Sequence, residues 1–372
     1  MAFLRGYPGR GAPRGGQSGR ALAASARRVE SKIASSREPE RARQVFVRAA
    51  WYERQGQAGE VLQVGELPTE EPGPGEVRVR ISVSGVNPGD TKKRRGWLGS
   101  AMPFPRVIPH SDGAGTVESV GDGVDPARIG QQVWVYGAQS YRPFGTAAEL
   151  TVVPAPQAVG LPDGVSEELG ACLGIPGITA HRAVFSDGAV TGLTVLVQGV
   201  VGGVSSLAAQ LATWGGATVI GTVLHGSDLA KVRTSSLAQV VALDQADPVE
   251  AIRSYASDGV DRIVEVSFSD NVDLDAQVTK NQAVIAAYAT RNDRPDLPFW
   301  PMLFNNLTVR LLGSDDFPTS AKQQAAVDLS AAARDGALSI DIDTPVPLEQ
   351  IAEAHDRVDS GSRGRVLLRI SD

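Results

Sequence analysis

The fold of this chain is decided by the stretch Val195-Leu-Val-Gln-Gly-Val-Val-Gly-Gly-Val-Ser205 and by its continuation Leu207-Ala-Ala-Gln-Leu-Ala-Thr-Trp-Gly-Gly-Ala-Thr-Val-Ile-Gly-Thr222. The short β-branched run at the start is typical of a parallel strand buried on both faces. Gly202 and Gly203 turn the chain into a helix, and Gly215 and Gly216 end that helix before a second apolar strand. The pattern predicts a βαβ unit whose helix N-terminus offers free N–H groups to a pyrophosphate.

The glycine pattern of this turn departs from the usual dinucleotide-binding sequence G-x-G-x-x-G/A. Its three positions fall on Val200, Gly202 and Ser205, so only the central glycine is present. We expect Val200 to narrow the turn and Ser205 to fit between helix and strand at modest cost. Two interpretations stay open at this point: a working cofactor site and a purely structural turn.

Composition limits the classes of protein that remain. A chain of 372 residues is long enough for two globular domains, and 42% apolar with 21% charged residues is typical of such domains. No apolar run approaches the roughly 20 residues of a membrane helix. The lone Cys172 excludes an internal disulfide and a cysteine-rich zinc site, and we interpret it as a small buried apolar residue. These features predict a cytoplasmic protein without a membrane partner.

Residues 1–46 differ in kind from the rest, because they are rich in Gly, Arg, Ser and Ala and lack hydrophobic periodicity. Such a composition predicts disorder. The segment carries ten Lys/Arg and three Asp/Glu, and removing this +7 from the total of −6 leaves −13 on residues 47–372. The acidic body argues against a nucleic-acid partner. An organelle transit peptide is disfavoured by three glutamates, and a non-native extension upstream of a true start at Val47 is the preferred interpretation.

The remaining chain divides into two patterns. From Val47 to about Val153, short alternating segments such as 76–84 predict a small antiparallel β domain. From about Gly174 to Leu307, strands alternate with helical stretches, which predicts a doubly wound parallel sheet. The predicted strands of this region are 195–197, 218–222, 240–243, 261–266 and 283–289, with a further one at 307–312. A tail with helices near 320–335 and 348–359 and a strand at 365–370 can rejoin the first domain.

Short motifs occur in a fixed order along the chain: Val86-Asn-Pro-Gly-Asp90, Pro109-His-Ser-Asp-Gly-Ala-Gly-Thr-Val117, Gly174-Ile-Pro-Gly-Ile-Thr-Ala-His-Arg-Ala183, Gly202-Gly203, and Ala352-Glu-Ala-His355 before Gly364-Arg365. Together they resemble the medium-chain dehydrogenase/reductase superfamily, in its zinc-free quinone oxidoreductase branch typified by zeta-crystallin. The resemblance implies an α/β fold, with a GroES-like β-rich catalytic domain at 47–173 plus 309–372. A Rossmann dinucleotide-binding domain at 174–308 is inserted into it.

The same resemblance implies hydride transfer from reduced nicotinamide to a conjugated carbonyl, either a quinone or an α,β-unsaturated carbonyl (enone). Zinc-dependent relatives use Cys, His and Glu ligands, whereas this chain has Asn87-Pro88 and His110-Ser-Asp112 in the corresponding segments. We therefore expect no zinc. The protein would hold donor and acceptor together and exclude water, so no dedicated acid–base residue is required and the catalytic residues stay unknown.

Site residues follow from the resemblance position by position. Asn87 and Thr179 would contact the nicotinamide or its ribose, and Tyr288 would offer a backbone contact to the carboxamide. Arg365 resembles a family basic residue near the cofactor. The pyrophosphate turn would comprise Gly202, Gly203, Val204 and Ser205. For the acceptor pocket the candidates are Arg95, Trp97 and Tyr141, for which a structural role is equally open.

Cofactor choice depends on the end of the second strand. No acid occurs from Thr222 to Ser227, which favours NADPH over NADH, and Lys231 follows as a cation for the 2′-phosphate. Asp228, however, lies where relatives tend to place a lysine. We expect a homodimer through the edge strand at 307–312, as in the family. The alternative is a relative with a degenerate cofactor site that acts as a non-redox ligand-binding or interaction protein, suggested by Val200, Ser205 and Asp228.

Overall fold

The structure, a computed structural model, describes residues 45–232, 237–362 and 364–371. The predicted extension at 1–46 therefore lies outside the described residues, except for its last two. The strands are β1 (Phe46–Trp51), β2 (Gln63–Pro68), β3 (Glu76–Gly85), β4 (Asp112–Val120), β5 (Gln132–Val135), β6 (Leu150–Pro154), β7 (Ala158–Gly160), β8 (Thr194–Val197), β9 (Thr218–Val223), β10 (Gln239–Ala242), β11 (Val260–Glu265), β12 (Thr279–Ala287), β13 (Thr308–Leu311), β14 (Val346–Pro347) and β15 (Leu367–Arg369).

The helices connect these strands. They are α1 (Ala58–Val61), α2 (Pro88–Arg95), α3 (Glu167–Gly170), α4 (Ile178–Phe185), α5 (Gly203–Trp214), α6 (Pro248–Tyr255), α7 (Phe268–Val278), α8 (Phe299–Phe304), α9 (Thr319–Arg334) and α10 (Ile351–Asp359). In the part of the chain that is described, no helix is both long and apolar enough to span a membrane.

A six-stranded parallel sheet forms the second half of the fold, in the order β10-β9-β8-β11-β12-β13. Alternate residues of β8 face opposite layers, as strand geometry requires. Val195 and Val197 join a core with α4, α5 and α9, whereas Leu196 joins a core with α6 and α7. Both faces are thus covered, and the predicted doubly wound parallel sheet is confirmed.

The other large sheet is mostly antiparallel. Its strands run β14-β15-β3-β4-β5-β7, and β6 also pairs with β3. The alternating sequence of β3 places Val77, Val79 and Ile81 in one apolar cluster with no exposed surface. Near the C-terminus, β15 pairs with the end of β3, with Leu367 opposite Gly85. The chain therefore returns to the β-rich domain after it has built the parallel sheet, as the GroES-like and Rossmann fold class predicts.

The packing of β13 and α9 indicates where the chain returns from the parallel-sheet domain to the β-rich domain. β13 pairs with β12, and α9 contributes Ala325 and Leu329 to the core of the parallel sheet. β13 begins at the expected boundary at 308 and extends past it, and α9 lies wholly beyond it. Because they pack with the parallel sheet, we place the return to the β-rich domain after Leu338. At the other end, β1 begins at Phe46, one residue before the expected start at Val47.

Candidate cofactor-binding site

The glycine turn joins β8 to α5. Its left-handed residue is Gly199, with φ of +67°, so the tight turn depends on the glycine one position before Val200. Val200 is 3% exposed, and its Cγ1 lies 2.7 Å from the position that a Cβ on Gly221 would occupy. Because Gly221 of β9 has no side chain, the turn accommodates the valine.

The first turn of α5 presents unpaired donors. Gly202 is the N-cap in an extended conformation, and Ser206 N–H donates to its carbonyl at 2.8 Å. Within the described residues, the backbone N–H groups of Gly203, Val204 and Ser205 have no hydrogen-bond acceptor. These three groups and the helix dipole form a site for an anion.

Ser205 faces the core. Its Oγ donates to the Gln198 carbonyl at 2.7 Å and lies 2.8 Å from the Tyr288 hydroxyl. A serine hydroxyl has one hydrogen, and the carbonyl can only accept, so Tyr288 is the donor to Ser205. Burial and the charge of Glu265 raise the pKa of Tyr288, although the bond to Ser205 opposes this, so the phenol stays protonated. The sequence suggested only a backbone role for Tyr288. Its side chain also supports the turn from the core side, through the bond to Ser205.

Gln198 connects the turn to the neighbouring strands. Its Oε1 accepts from Thr222 Oγ at 2.6 Å, and its Nε2 donates to Asp275 Oδ1 at 2.8 Å. The Thr222 hydroxyl oxygen also accepts from Gly199 N–H at 3.1 Å. Thr222, predicted as a cofactor residue at the end of the second strand, is fully buried, and its hydroxyl is committed to this network.

A cavity of about 370 Å³ opens beside the turn. One wall is the turn itself with Ser206, and the other includes Lys231 and the segment Ser339–Asp341. Gln210 of α5 anchors that segment, because its Oε1 accepts from Ser339 N–H at 2.7 Å and its Nε2 donates to Ser339 O at 2.8 Å. The segment Ser339–Asp341 is therefore a fixed part of the lining of the cavity that Gly203 also borders.

Arg365 lies at the same helix end. Its Cδ is 3.2 Å from the position that a Cβ on Gly203 would occupy, and the residue is 8% exposed. Nη1 donates to the Val86 carbonyl at 3.1 Å. Within the described residues, its buried Nε and Nη2 have no hydrogen-bond partner. The stem of Arg365 thus lies at the helix N-terminus, whereas its guanidinium group lies against the β-rich domain, with Nη2 3.2 Å from the position that a Cβ on Gly85 would occupy and with the Cys172 thiol as a neighbour.

Asp112 at the start of β4 organises the predicted nicotinamide side. It is fully buried, and its carboxylate accepts from Asn87 Nδ2 at 2.7 Å and from Ile175 N–H at 2.8 Å. Burial raises the pKa of Asp112 to about 7, while Arg365 and the bond from Asn87 oppose the shift. Thr179 lies four residues after Ile175, and its hydroxyl donates to the Ile175 carbonyl at 2.6 Å. Asn87 and Thr179 are thus linked through Ile175 and Asp112.

His110 belongs to a buried chain of hydrogen bonds. Thr146 Oγ donates to Asp112 O at 2.5 Å, so the contact between Ser84 Oγ and Thr146 at 2.7 Å has Ser84 as donor. Ser84 then accepts from His110 Nδ1 at 2.8 Å, which leaves His110 Nε2 to accept from His355 Nε2 at 3.0 Å.

Both imidazoles are therefore neutral. Burial lowers the pKa of His110 to about 3, with a smaller contribution from Arg365. Burial and the neighbouring His110 hold the pKa of His355 well below its ordinary value. Within the described residues, no three His, Cys, Asp or Glu side chains are grouped in a way that could hold a metal ion.

The loop after β9, where the sequence predicts the adenosine end of the cofactor, carries paired charges. Lys231 Nζ lies 2.7 Å from Asp228 Oδ1, and His225 Nδ1 lies 3.4 Å from Asp244. Ser227 is exposed on the 3₁₀ turn that holds Asp228. The predicted phosphate-binding lysine is thus already paired with a carboxylate that is 4% exposed.

The three candidates for the acceptor pocket have different partners. Arg95 forms an ion pair with Asp359 at 3.2 Å, and the Tyr141 hydroxyl donates to Asp316 at 2.7 Å. Trp97 lies under Lys92, whose Nζ is 4.5 Å from the ring centroid. Among the described residues, no hydrogen bond, ion pair or ring contact joins any two of the three candidates.

Comparison with known proteins places this geometry in a family. Two family profiles match the chain: "Alcohol dehydrogenase GroES-like domain" over residues 73–163 and "Zinc-binding dehydrogenase" over residues 203–331. The quinone oxidoreductase of Rattus norvegicus is 32% identical over 303 residues, covering 79% of this chain and 88% of the relative. The chain belongs to the quinone oxidoreductase branch of the medium-chain dehydrogenase/reductase superfamily.

Solved structures of this oxidoreductase superfamily share the fold. An alcohol dehydrogenase superfamily protein from Novosphingobium aromaticivorans is 25% identical with a TM-score of 0.78, over 87% of this chain and 100% of that one. A putative NADPH:quinone reductase from Bacillus thuringiensis has a TM-score of 0.77 at 19% identity, over 88% of this chain and all of that one. At that identity the second comparison supports the fold alone.

In this quinone oxidoreductase family member, the sequence did not indicate which buried residues support the candidate site from the core side. Asp112 lies inside one of the family motifs, but the sequence indicated only that its segment lacks the usual zinc ligands. Gln198 lies in the turn itself, and its neighbours Glu265 and Asp275 come from two distant elements. The available signal was a polar residue directly after a buried strand, as at Gln198, because such a side chain needs buried partners.

Proposed function

We propose that this protein transfers hydride from NADPH to a conjugated carbonyl acceptor, a quinone or an enone, without a metal. The observation that carries the proposal is the first turn of α5, where the N–H groups of Gly203, Val204 and Ser205 have no acceptor among the described residues and the Cδ of Arg365 lies alongside. These donors fit a pyrophosphate in charge and in position. Membership in the quinone oxidoreductase branch supports the choice of acceptor.

The residues present fit a reduced nicotinamide dinucleotide at this edge of the sheet. Gly203, Val204, Ser205 and Arg365 would hold the pyrophosphate, and Asn87, Thr179 and the backbone of Tyr288 would orient the nicotinamide end. When bound, the cofactor supplies the hydride. The protein's own part is to hold donor and acceptor close and to exclude water, since a quinone or enone is already polarised by conjugation.

Hydride transfer without zinc is supported by the donor set of the β-rich domain. Both nitrogens of His110 are occupied, by Ser84 and by His355. The carboxylate of Asp112 is occupied by Asn87 and Ile175. Zinc needs at least three convergent ligands, and these two side chains are each committed to other protein groups instead.

NADPH is preferred over NADH because the end of β9 has no acid to hold a ribose diol. Lys231 lines the cavity and can reach a 2′-phosphate once it leaves Asp228. The pairing with Asp228 reduces this preference rather than reversing it.

A direct experiment tests the proposal. Purified protein is titrated with NADPH and NADH by nicotinamide fluorescence and calorimetry, and NADPH oxidation is then followed at 340 nm with 1,4-benzoquinone and a simple enone. We expect NADPH binding in the micromolar range, weaker NADH binding and acceptor-dependent oxidation. Absence of binding to either nucleotide would contradict the proposal and favour the non-redox alternative.

A homodimer is part of the proposal. β13 is the edge strand of the parallel sheet, with Leu311 exposed at 74%. The short helix α8 just before it exposes Phe299, Trp300 and Phe304 at 59%, 63% and 71%. An edge strand next to such an apolar patch needs a cover in water, and a second copy of the same surface provides one by two-fold symmetry.

A further inference from the structure

Two acidic side chains lie together beneath the glycine turn. Glu265 at the end of β11 and Asp275 in α7 are both fully buried. Glu265 accepts from Ser267 N–H and from the Asn271 amide, which reaches its two oxygens at 3.1 and 3.2 Å. Asp275 accepts one bond on Oδ1, from Gln198 Nε2 at 2.8 Å.

The second carboxyl oxygen of Asp275, Oδ2, indicates which of the two acids carries a proton. Among the described residues, the buried Oδ2 of Asp275 receives no hydrogen bond. Burial and the charge of Glu265 raise the pKa of Asp275 well above its ordinary value. Two adjacent buried carboxyl groups do not both ionise, and Glu265 has the donors that stabilise a charge. The shared proton therefore belongs to Asp275, whose carboxyl group hydrogen-bonds to that of Glu265.

From Asp275 a continuous path of hydrogen bonds leads to the turn. Gln198 donates to Asp275 and accepts from Thr222, and the Thr222 hydroxyl oxygen accepts from Gly199 N–H. Gly199 is the left-handed residue on which the turn depends. The Gln198 Nε2 group can only donate and its Oε1 can only accept. The acceptor on Asp275 therefore sets the orientation of the Gln198 amide.

We propose that Asp275, in its protonated form, is a positioning residue for the dinucleotide site. It holds Gln198, and through Gln198 and Thr222 it holds the Gly199 turn in the arrangement that the pyrophosphate requires. The inference rests on the proposed function. Loss of the proton places two charges side by side, drives Asp275 away from Glu265 and releases the Gln198 amide.

The groups that face Asp275 come from three elements. They are Glu265 on β11, Gln198 on the turn and, next to Glu265, the Tyr288 hydroxyl at the end of β12. An asparagine at 275 reproduces the neutral acid, because its Oδ1 accepts from Gln198 and its Nδ2 donates to Glu265. An alanine removes both bonds. Asp273, exposed on the same helix, provides a control with the same Asp-to-Asn exchange outside the buried pair.

The test measures the Kd for NADPH from pH 6 to pH 9.5 in the wild type, Asp275→Asn, Asp275→Ala and Asp273→Asn. At pH 7 we expect Asp275→Asn to stay within about twofold of the wild type and Asp275→Ala to lose about tenfold or more. Above the pKa of the pair, the Kd of the wild type and of Asp273→Asn should rise toward that of Asp275→Ala, whereas the Kd of Asp275→Asn should not change. A common pH dependence in all four proteins would overturn the inference, as would equal losses in the two variants at 275.

Thermal unfolding supplies a readout without cofactor. The folded wild type keeps a proton that the unfolded chain releases above about pH 4, so its stability falls as pH rises toward the pKa of the pair. Asp275→Asn should therefore melt higher than the wild type, by a gap that widens from pH 5 upward. A constant gap, or a lower melting temperature at every pH, would refute protonated Asp275. Wild type that binds no NADPH contradicts the proposed function and this role together, whereas binding by wild type with loss in Asp275→Asn contradicts this role alone.

Discussion

The Tyr288 hydroxyl donates to Ser205 Oγ across 2.8 Å, and this contact explains how α5 tolerates a serine where a small residue is usual. The added hydroxyl is not left unsatisfied, because it also donates to the Gln198 carbonyl. The substitution at 205 is thus matched by the tyrosine at the end of β12, and it leaves the backbone N–H groups of the turn free.

The Ser205–Tyr288 contact predicts an asymmetric double-mutant cycle. Ser205→Ala leaves the Tyr288 hydroxyl buried without an acceptor and should cost about 1–3 kcal/mol of unfolding free energy. Tyr288→Phe leaves Ser205 its bond to Gln198 and should cost about 0.5–1.5 kcal/mol. The double variant should be more stable than Ser205→Ala alone. Urea denaturation of the four proteins measures this, and strictly additive losses would show that the two side chains are not coupled.

Arg365 predicts a selective loss of cofactor affinity. Arg365→Gln removes charge-assisted bonds to an anion, each contributing about 1.5–3 kcal/mol, so the Kd for NADPH should rise by about tenfold to a hundredfold. The exposed Arg369 on β15 provides the control Arg369→Gln, which should leave binding unchanged. Calorimetric titration compares the two, and an equal small effect would argue against Arg365 as a ligand of the pyrophosphate.

Asp228 predicts a tunable preference between the two nucleotides. Asp228→Asn removes the negative charge that holds Lys231 Nζ at 2.7 Å, so the lysine is released toward a 2′-phosphate. The ratio of KM for NADH to KM for NADPH should increase about threefold to tenfold, and Lys231→Ala should lower it. Asp258→Asn, at an exposed site far along the chain, controls for net charge. A ratio that Asp228→Asn leaves unchanged would exclude Lys231 from phosphate recognition.

The neutral histidine pair predicts acid sensitivity. Burial lowers the pKa of His110 from 6.5 to about 3, so the unfolded chain binds the extra proton between these pH values. Stability is fully present above pH 6.5 and is lost as pH falls toward 3, at about 1.4 kcal/mol per pH unit for this group. His110→Asn, suited to the φ of +76° at this position, should flatten that slope in urea titrations at pH 7, 6 and 5. Replacing the exposed His225 by Gln should not.

The apolar surface of α8 and β13 predicts a change of assembly. Phe304→Asp places a charge on the proposed two-fold interface and should convert a dimer into a monomer in sedimentation velocity. Val327→Asp, at a position on α9 that is 63% exposed, is the matched control and should stay dimeric. A wild type that sediments as a monomer at micromolar concentration would contradict the proposed dimer.

Local patterns in the sequence predicted most of the elements. The alternating residues 76–84 indicate β3, and the glycines after Trp214 indicate the end of α5. Both features depend only on neighbours within a few residues. The family motifs predicted the two-domain architecture. The short helix α8 was not expected, since its apolar run is exposed rather than buried on one face.

Long-range side-chain pairs could not be predicted in the same way. Ser205 and Tyr288 are separated by 83 positions, and Lys231 looked like a free phosphate ligand until the structure paired it with Asp228. Nothing local in the sequence says which buried polar groups will satisfy one another. The acceptor candidates Arg95, Trp97 and Tyr141 show this limit, because each has its own partner.

The pairing of β15 with β3 has a consequence for how this protein is made. The β-rich sheet is begun by β3 to β7, which precede the parallel sheet in the chain, yet it lacks β14 and β15 until the chain beyond the parallel sheet has been translated. The same terminal segment carries Arg365. A nascent chain can therefore complete its parallel sheet before β14 and β15 are synthesised, but the β-rich sheet and Arg365 become available together only after that segment has been translated.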